Sequence, residues 1–596
     1  PVSVFLAFLP MYFMGITSNL MSLAGIAISI GVLVDGAIVE VENAYKKIEH
    51  WLDDQGIRDG VVDHATASRP GFRESFFAVR LSAMKEVGPS VFFSLLVIAV
   101  SFLPIFTLVD QEGRLFKPLA YSKNLAMAIA SILAITLDPA IRMLYARITP
   151  FEFKPAWLAR ICTILFVGRY YREEEHPVSK VLFRLYEPAC RYVLERPKKA
   201  LAAAGILMAT TVPVYISLGV EFMPPLNEGT ILYMPTTLPG ISVEEAKKVL
   251  QLQDEILKSF PEVERVYGKA GRADTSLDPA PFSMVETVVV LKPKEEWSKK
   301  ERWFSFLPDF MHFLFRWIWN DRITYDELIS RMNEKMQIPG WTNAFTMPIR
   351  GRIDMLSTGI RTPIGIKVQG ADLREIEIIG RQIEKALENV PGTRSVFAER
   401  VTGGYYLDFD LRREDLARYG LTVDDAKQIL QLALGGETLT VTVEGRERYP
   451  VHLRYQPAFR QDLAALRRIL VPTPSGAHIP MSQIADIHVV QGPSMIRDEN
   501  GLLTGYVYVD IEGRDIGGYV KEAKQIVRDH VNVPNRYTLS WSGQYENMQR
   551  VEQRLKIVLP LTLFLVVLLI HFNTKSWPKT GIVLLAVPFS LVGAIW

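Results

Sequence analysis

The sequence predicts a multi-pass α-helical membrane protein that carries an α+β domain outside the membrane, on three observations. Apolar runs of bilayer length recur along the chain, one of them holds an acidic residue near its middle, and the stretch 218–554 has ordinary globular composition. Hydrophobic types make up 49% of the 596 residues and charged types 22%, values that average two segregated materials rather than describe one.

The apolar runs fall near 1–16, 22–42, 88–108, 118–143, 199–217, 555–572 and 580–596. About twenty such residues in a helix cross a hydrocarbon core of roughly 30 Å. Lysine and arginine concentrate in 44–87, in 144–198 and in the short link before 580, where Lys575 and Lys579 stand. Basic residues are retained on the cytoplasmic side, so these three connections are cytoplasmic and the alternation of spans puts 218–554 outside the cytoplasm. Phe151–Tyr171, aromatic and bounded by Arg and Pro, reads as an interfacial amphipathic helix rather than a span. The chain opens at Pro1 and ends at Trp596 inside apolar runs, which predicts a piece of a longer protein.

Other classes find little support. A net charge of +2 without a basic stripe argues against nucleic acid as a partner. Cys162 and Cys190 both lie in the basic connection 144–198 and form neither a disulfide framework nor a zinc pattern. No phosphate-cradling glycine loop, HExxH motif or Ser-His-Asp constellation stands out, so ATP hydrolysis is not indicated and an enzyme is the least supported class.

Within 218–554 the periodicity changes. Thr230–Leu238, Val263–Lys269 and Met284–Lys292 alternate as strands, and Ser242-Val-Glu-Glu245 caps a helix that runs to about Phe260. A second round follows, with strand Ile364–Gly370, a helix over Leu373–Val390, and strands at Arg394–Glu399 and Tyr405–Asp410. This β-α-β-β repeat predicts two ferredoxin-like modules, 218–363 and 364–554. Trp-rich 294–325 reads as an insertion in the first; in the second, Thr422-Val-Asp-Asp425 caps a further helix and Glu437–Tyr455 reads as a hairpin in an inserted region of about 435–500. A weaker echo links the membrane runs: Leu6, Pro10 and Gly15 recur at the same spacing as Leu584, Pro588 and Gly593, as parallel duplication of transporter halves produces.

Asp35 is the first functional candidate. It interrupts the apolar run Met21–Asn43, and an ionised side chain at the centre of an inserted helix costs about 2.5–3.5 kcal/mol even on the lenient translocon scale. Such residues mark ion or proton pathways; the alternative is a structural carboxylate paired with a basic group on a neighbouring helix. Glu40 and Glu42, nearer the helix end, read as acids that reach the headgroup region.

Gly25-Ile-Ala-Ile-Ser-Ile-Gly-Val-Leu-Val-Asp35, Val41-Glu-Asn43, the basic loops and the large exported segment together resemble the resistance-nodulation-division efflux pumps, from the third of their twelve spans to the ninth. Leu232-Tyr-Met-Pro-Thr-Thr-Leu-Pro-Gly-Ile-Ser242, Met284-Val-Glu286 and Arg352-Ile-Asp-Met-Leu-Ser-Thr-Gly-Ile360 are similar to the heavy-metal branch, and within it to copper and silver exporters. The resemblance implies a homotrimer in the inner membrane of a Gram-negative cell, with a periplasmic adaptor and an outer-membrane channel as partners, porter modules in the exported segment and an inserted docking region. It implies no tightly bound cofactor; Cu(I) or Ag(I) is the cargo and H+ the coupling ion. Divalent-cation and multidrug exporters of the same family are the alternatives, and a non-transporting metal sensor is the alternative from another class.

Residue by residue, the resemblance assigns metal ligation to Met234, Met284 and Met355. Thioether sulfur is soft and suits monovalent copper and silver, although methionine is also an adaptable core filler and spacing alone does not separate the two roles. Asp278, Glu286, Arg352 and Arg361 match charged positions around the metal cleft, where salt bridges would open and close it, and Asp35 matches the proton relay. Met21 keeps one methionine stepping stone toward the cleft. Glu40 and Thr438 stand where some copper exporters have others, so a continuous thioether path is interrupted here.

Overall fold

The computed structural model describes residues 2–57, 62–145, 147–167, 177–222, 227–271, 282–300 and 322–596. They form two compact units, Pro1–Gly219 with Met548–Trp596, and Val220–Asn547.

The first unit is helical: α1 (Val2–Phe13), α2 (Leu20–Asp54), α3 (His64–Ala67), α4 (Phe72–Ser101), α5 (Leu103–Phe106), α6 (Asp110–Ile135), α7 (Leu137–Tyr145), α8 (Ala156–Phe166), α9 (Pro177–Glu195) and α10 (Pro197–Ser217), with Gln544–Thr574 and Trp577–Ile595 near the other end of the chain. Among the described residues six helices are long and apolar enough to cross a membrane: α2, α4 with α5, α6, α10 and the last two. The expected run 1–16 appears as the 12-residue α1, shorter than a span. The expected run 118–143 is two helices: α6 stops at Ile135 and α7 restarts at Leu137, and Pro139 has no amide with which to bond the Ile135 carbonyl and carry the ladder across Thr136. The connection 44–87 is largely helical, since α2 continues to Asp54 and packs Trp51 against Phe72 and Phe76 of α4.

Local chemistry sets where α2 starts and how it packs. Asn19 caps it, accepting from the Ser22 amide at 2.9 Å while Ser22 Oγ accepts from the Asn19 amide at 2.8 Å. One turn on, Gly25 meets α6 so closely that an added Cβ would lie 2.3 Å from both Leu119 O and Ser122 Oγ. Ser122 Oγ also donates to Ser22 O at 2.8 Å. Small residues and a hydroxyl across the seam are the means by which helices associate in lipid, where the hydrophobic effect gives no net drive.

The second unit contains both expected modules. In the first, β1 (Thr230–Tyr233), β2 (Thr236–Thr237), α11 (Val243–Lys258), β3 (Val263–Ala270), β4 (Val285–Leu291), α12 (Tyr325–Lys335), β5 (Trp341–Thr342), β6 (Phe345–Thr346) and α13 (Pro348–Thr358) follow in order. The main sheet is antiparallel, β3-β4-β1-β6, the ferredoxin-like arrangement. Ile231, Tyr233, Val289, Leu257, Leu328 and Met332 are its fully buried core. Trp297, at the start of the 294–325 insertion, is buried and donates Nε1 to Lys292 O at 2.8 Å; most of that insertion lies outside the described residues.

In the second module β7 (Ile364–Gly370), α14 (Leu373–Leu387) and β8 (Thr393–Ala398) match expectation, but the next strand does not. β9 (Gly404–Leu411), read from sequence as the third strand of the sheet, pairs instead with β14 (Ala485–Gly492). Between them lie α15 (Arg413–Arg418), α16 (Val423–Leu430), β10 (Glu437–Glu444), β11 (Glu447–Leu453), α17 (Leu463–Arg467), β12 (Leu470–Pro472) and β13 (His478–Pro480), with a core of their own around Leu416, Val471 and Ile484. The inserted region therefore starts with β9, near residue 404, rather than near 435. After β15 (Asp498–Glu499), β16 (Leu502–Ile511) supplies the missing strand, and α18 (Ile516–His530) and β17 (Thr538–Gly543) complete the module, with β16 between β7 and β8. The hairpin β10–β11 is exposed along its whole length.

Gly25→Ala must push α2 from α6, an overpacking cost of about 1–3 kcal/mol. It lowers the thermal stability of the purified protein in detergent, whereas Gly31→Ala, with open space at its Cβ, leaves it unchanged; equal melting temperatures for the two variants would remove Gly25 from the seam.

Candidate functional site

The methionine candidates are built on the edge where β1 meets β4. Met234 follows β1 directly, is completely buried, and donates its amide to Ala344 O at 2.8 Å, extending the β1–β6 pairing by one residue. Pro235 then interrupts the strand; its carbonyl accepts from the Val285 amide at 3.3 Å, and the Thr237 amide donates to Ser283 O at 3.0 Å. The register Tyr233↔Thr287 thus continues unbroken to Thr236↔Met284. Met234 stands opposite Glu286 and Met284 opposite Thr236, so the two methionines are diagonal neighbours, with Cβ atoms about 7 Å apart in an antiparallel pair.

Met355, half-buried, lies on α13, the helix packed against β1. Pro348 takes the first position of α13, and Glu228 receives the free amides of Ile349 (2.8 Å) and Arg350 (2.9 Å), a carboxylate at the positive end of the helix. Gly351 lets the helix sit on β6: a Cβ there would meet Thr346 Cγ2 at 2.7 Å. Gly359, at φ +78°, ends it by donating its amide to Met355 O. Burial raises the carboxyl of Asp354 above its ordinary range; Gln544 donates to it at 3.2 Å, and Arg350 in turn donates to Gln544 at 2.8 Å. Gln544 is the first residue of helix Gln544–Thr574.

Glu286 pairs with Lys269 of β3 at 3.0 Å, Arg352 is exposed, and Asp278 lies outside the described residues. Arg361 is buried; its Nη2 donates to Thr236 Oγ1, the residue opposite Met284, and its guanidinium lies 4.2 Å over the ring of Tyr508 on β16. Tyr508 donates its hydroxyl to Glu399 at 2.9 Å, and Arg497 holds Glu399 at 2.6 Å. Burial drives the Tyr508 phenol far upward, so it stays a donor. Arg361 thereby ties β2 of one module to β16 of the other. Thr236, Tyr508, Glu399 and Arg497 were not legible as site residues, because cross-module contact leaves no periodic trace in sequence. Among the described residues no group of three or more His, Cys, Asp or Glu side chains converges.

In the membrane unit Asp35 lies on an exposed face of α2 and makes no hydrogen bond or ion pair with the described residues. Met21 is half-buried near the start of the same helix, and Glu42 pairs with Lys46 at 2.6 Å. Glu40 departs from expectation: it does not extend to a headgroup region but is 9% exposed, facing Arg142 of α7 at 3.5 Å. α6 buries a further ionisable group, Lys123, over the ring of Phe102.

Residues 1–312 and 317–596 match the model of the AcrB/AcrD/AcrF family. The chain is 39% identical over its whole length to cation efflux system protein CusA of Escherichia coli (strain K12), of which it covers 52%. It is 38% identical to the putative cation efflux system protein SilA of Salmonella typhimurium, again covering 52%, and 30% identical to cation efflux system protein CzcA of Alcaligenes sp. (strain CT14), covering 51%. A crystal structure of a heavy metal efflux pump superposes on the entire chain with a TM-score of 0.74 at 25% identity, over 52% of that pump. The chain thus spans about half the length of the curated relatives it matches.

Replacing Arg361 by Met keeps the packing of its stem but removes the bond to Thr236 and the ring contact, a loss of about 2 kcal/mol. Thr236→Val costs less alone and nothing further in the Arg361→Met background; additive losses in thermal unfolding would show that the two side chains act independently.

Proposed function

The chain belongs to the AcrB/AcrD/AcrF family, and from that premise we propose that it is the central part of an inner-membrane pump of a Gram-negative cell that expels Cu(I) or Ag(I) in exchange for protons. The observation that carries this reading is the β1–β4 register, which sets Met234 and Met284 diagonally on one strand pair beside the helix that bears Met355. Thioethers are neutral and soft, so they favour monovalent copper and silver over zinc, cobalt or cadmium. Ligands without protons to lose also bind independently of local pH, which a site outside the cytoplasm requires.

Asp35 supplies the coupling. Protonation removes a charge from an apolar helix and deprotonation restores it, and a swing of that size biases helix packing between two states. Gln544 offers the mechanical link: it begins helix Gln544–Thr574 and holds Asp354 and Arg350 of α13, so a shift of that helix pulls on the segment that carries Met355. In this reading the active pump is a homotrimer joined to a periplasmic adaptor and an outer-membrane channel.

Met284→Leu and Met355→Leu, each close in volume to the native residue, abolish silver resistance in cells that express the full-length protein while its amount in the membrane is unchanged. Asp35→Asn abolishes resistance as well but leaves Cu(I) affinity of the purified protein within about twofold, because binding and coupling lie in different parts of the chain. Resistance retained by Met355→Leu would exclude the thioether site, and resistance retained by Asp35→Asn would exclude its role in coupling.

A further inference from the structure

The membrane unit holds an acidic pair, one member of it buried, that the relay at Asp35 does not use. Glu40 is 9% exposed, yet its Oε1 accepts no hydrogen bond among the described residues. Its Oε2 faces Arg142 Nη2 at 3.5 Å, and the same guanidinium donates Nε to the half-buried Asp138 and Nη2 to Ala37 O at 3.2 Å. The Asp138 carboxyl is also within hydrogen-bonding reach of Glu40. Two carboxylates share one guanidinium there; a single proton on the pair balances the charge and gives the unpartnered oxygen of buried Glu40 a donor.

Space for that proton to arrive is present. Glu40 and Asp138 line a cavity of about 650 Å³ whose other walls are mostly apolar side chains of α1, α2, α4, α6 and α7, among them Leu33, Leu95 and Leu133, with the hydroxyl residue Ser3 of α1. Glu40 also lines a second cavity of about 570 Å³, next to Met84, Lys85 and Met143. It therefore stands between the two. The ionisable groups around it are Asp138 and Arg142 from α7 and Lys85 from α4; α1 and α6 present no ionisable residue to these cavities. Along α2, Glu40 lies five residues beyond Asp35, a rise of about 7.5 Å toward the connection rich in Lys and Arg.

We propose that Glu40, Asp138 and Arg142 form a second protonation site of the membrane unit, separate from Asp35, that takes part in proton coupling. Uptake breaks an O–H bond of hydronium and makes an O–H bond on Glu40, which becomes neutral while Asp138 stays ionised against Arg142. Release to water restores the pair. The site rests on the proton-coupled reading for its purpose, but its existence does not depend on metal transport.

Infrared difference spectroscopy of the full-length protein in lipid nanodiscs, titrated across pH in water and in D2O, reads the site directly through the C=O stretch of a protonated carboxyl group. The expected result is a titrating band that persists in Asp35→Asn, disappears in Glu40→Gln and changes frequency in Asp138→Asn. In proteoliposomes, Glu40→Gln slows proton-coupled metal transport at least tenfold while Cu(I) binding is unchanged. A band lost in Asp35→Asn alone, or retained in Glu40→Gln, overturns the site; a band lost in Glu40→Gln with transport at the native rate overturns its part in proton coupling. If Glu40→Gln does not fold, a native band frequency in Asp138→Asn overturns the pair. A protein that carries the Glu40 band but moves no metal would contradict the pump and leave the protonation site standing.

Discussion

The antiparallel register between the end of β1 and the start of β4 is the constraint on which the candidate site depends. A strand alternates its side chains with period two, so a one-residue slip would turn Met284 to the opposite face and separate it from Met234. Two hydrogen bonds keep the register through a proline and make the bridge between Thr236 and Met284: the amide of Val285 on the Pro235 carbonyl and the amide of Thr237 on Ser283. Pro235 contributes by omission, since it has no amide to seek a partner and it separates β1 from β2 without breaking the pairing. Arg361 reinforces the same point from outside by bonding Thr236 and stacking on Tyr508.

That arrangement makes the cleft a property of two modules rather than one. Among the described residues the cation at Arg361 finds a hydroxyl and an aromatic face, a softer attachment than a buried ion pair. Behind it, Tyr508, Glu399 and Arg497 form a satisfied polar chain that fixes where the ring can stand. Movement of β2 against β16 therefore breaks that hydrogen bond and that ring contact.

Much of this was legible in the sequence because the signals are local. Ser242 and Thr422 cap their helices through their side chains, and the two module cores follow from alternation in β4 and the helical spacing of Ile376, Ile379 and Ile383. The failures are non-local. Period-two alternation shows that Gly404–Leu411 is a strand but not which strand it joins, so β9 was placed in the wrong sheet. Hydropathy averaged over 118–143 hid the break at Thr136, and with it the position of Asp138 and Arg142 on a separate helix beside Glu40. The acid at Glu40 looked like a helix-end residue for the same reason: its burial is conferred by α7, which a sequence window on α2 does not contain.

Ligand identity is the point at which the account is most exposed, since every step from register to transport assumes sulfur around the cargo. X-ray absorption at the copper edge of the full-length protein loaded with one equivalent of Cu(I) tests it directly. The account predicts a first shell of sulfur alone that loses a scatterer in Met284→Leu. A shell of nitrogen or oxygen, or a sulfur shell unaffected by that substitution, would contradict it.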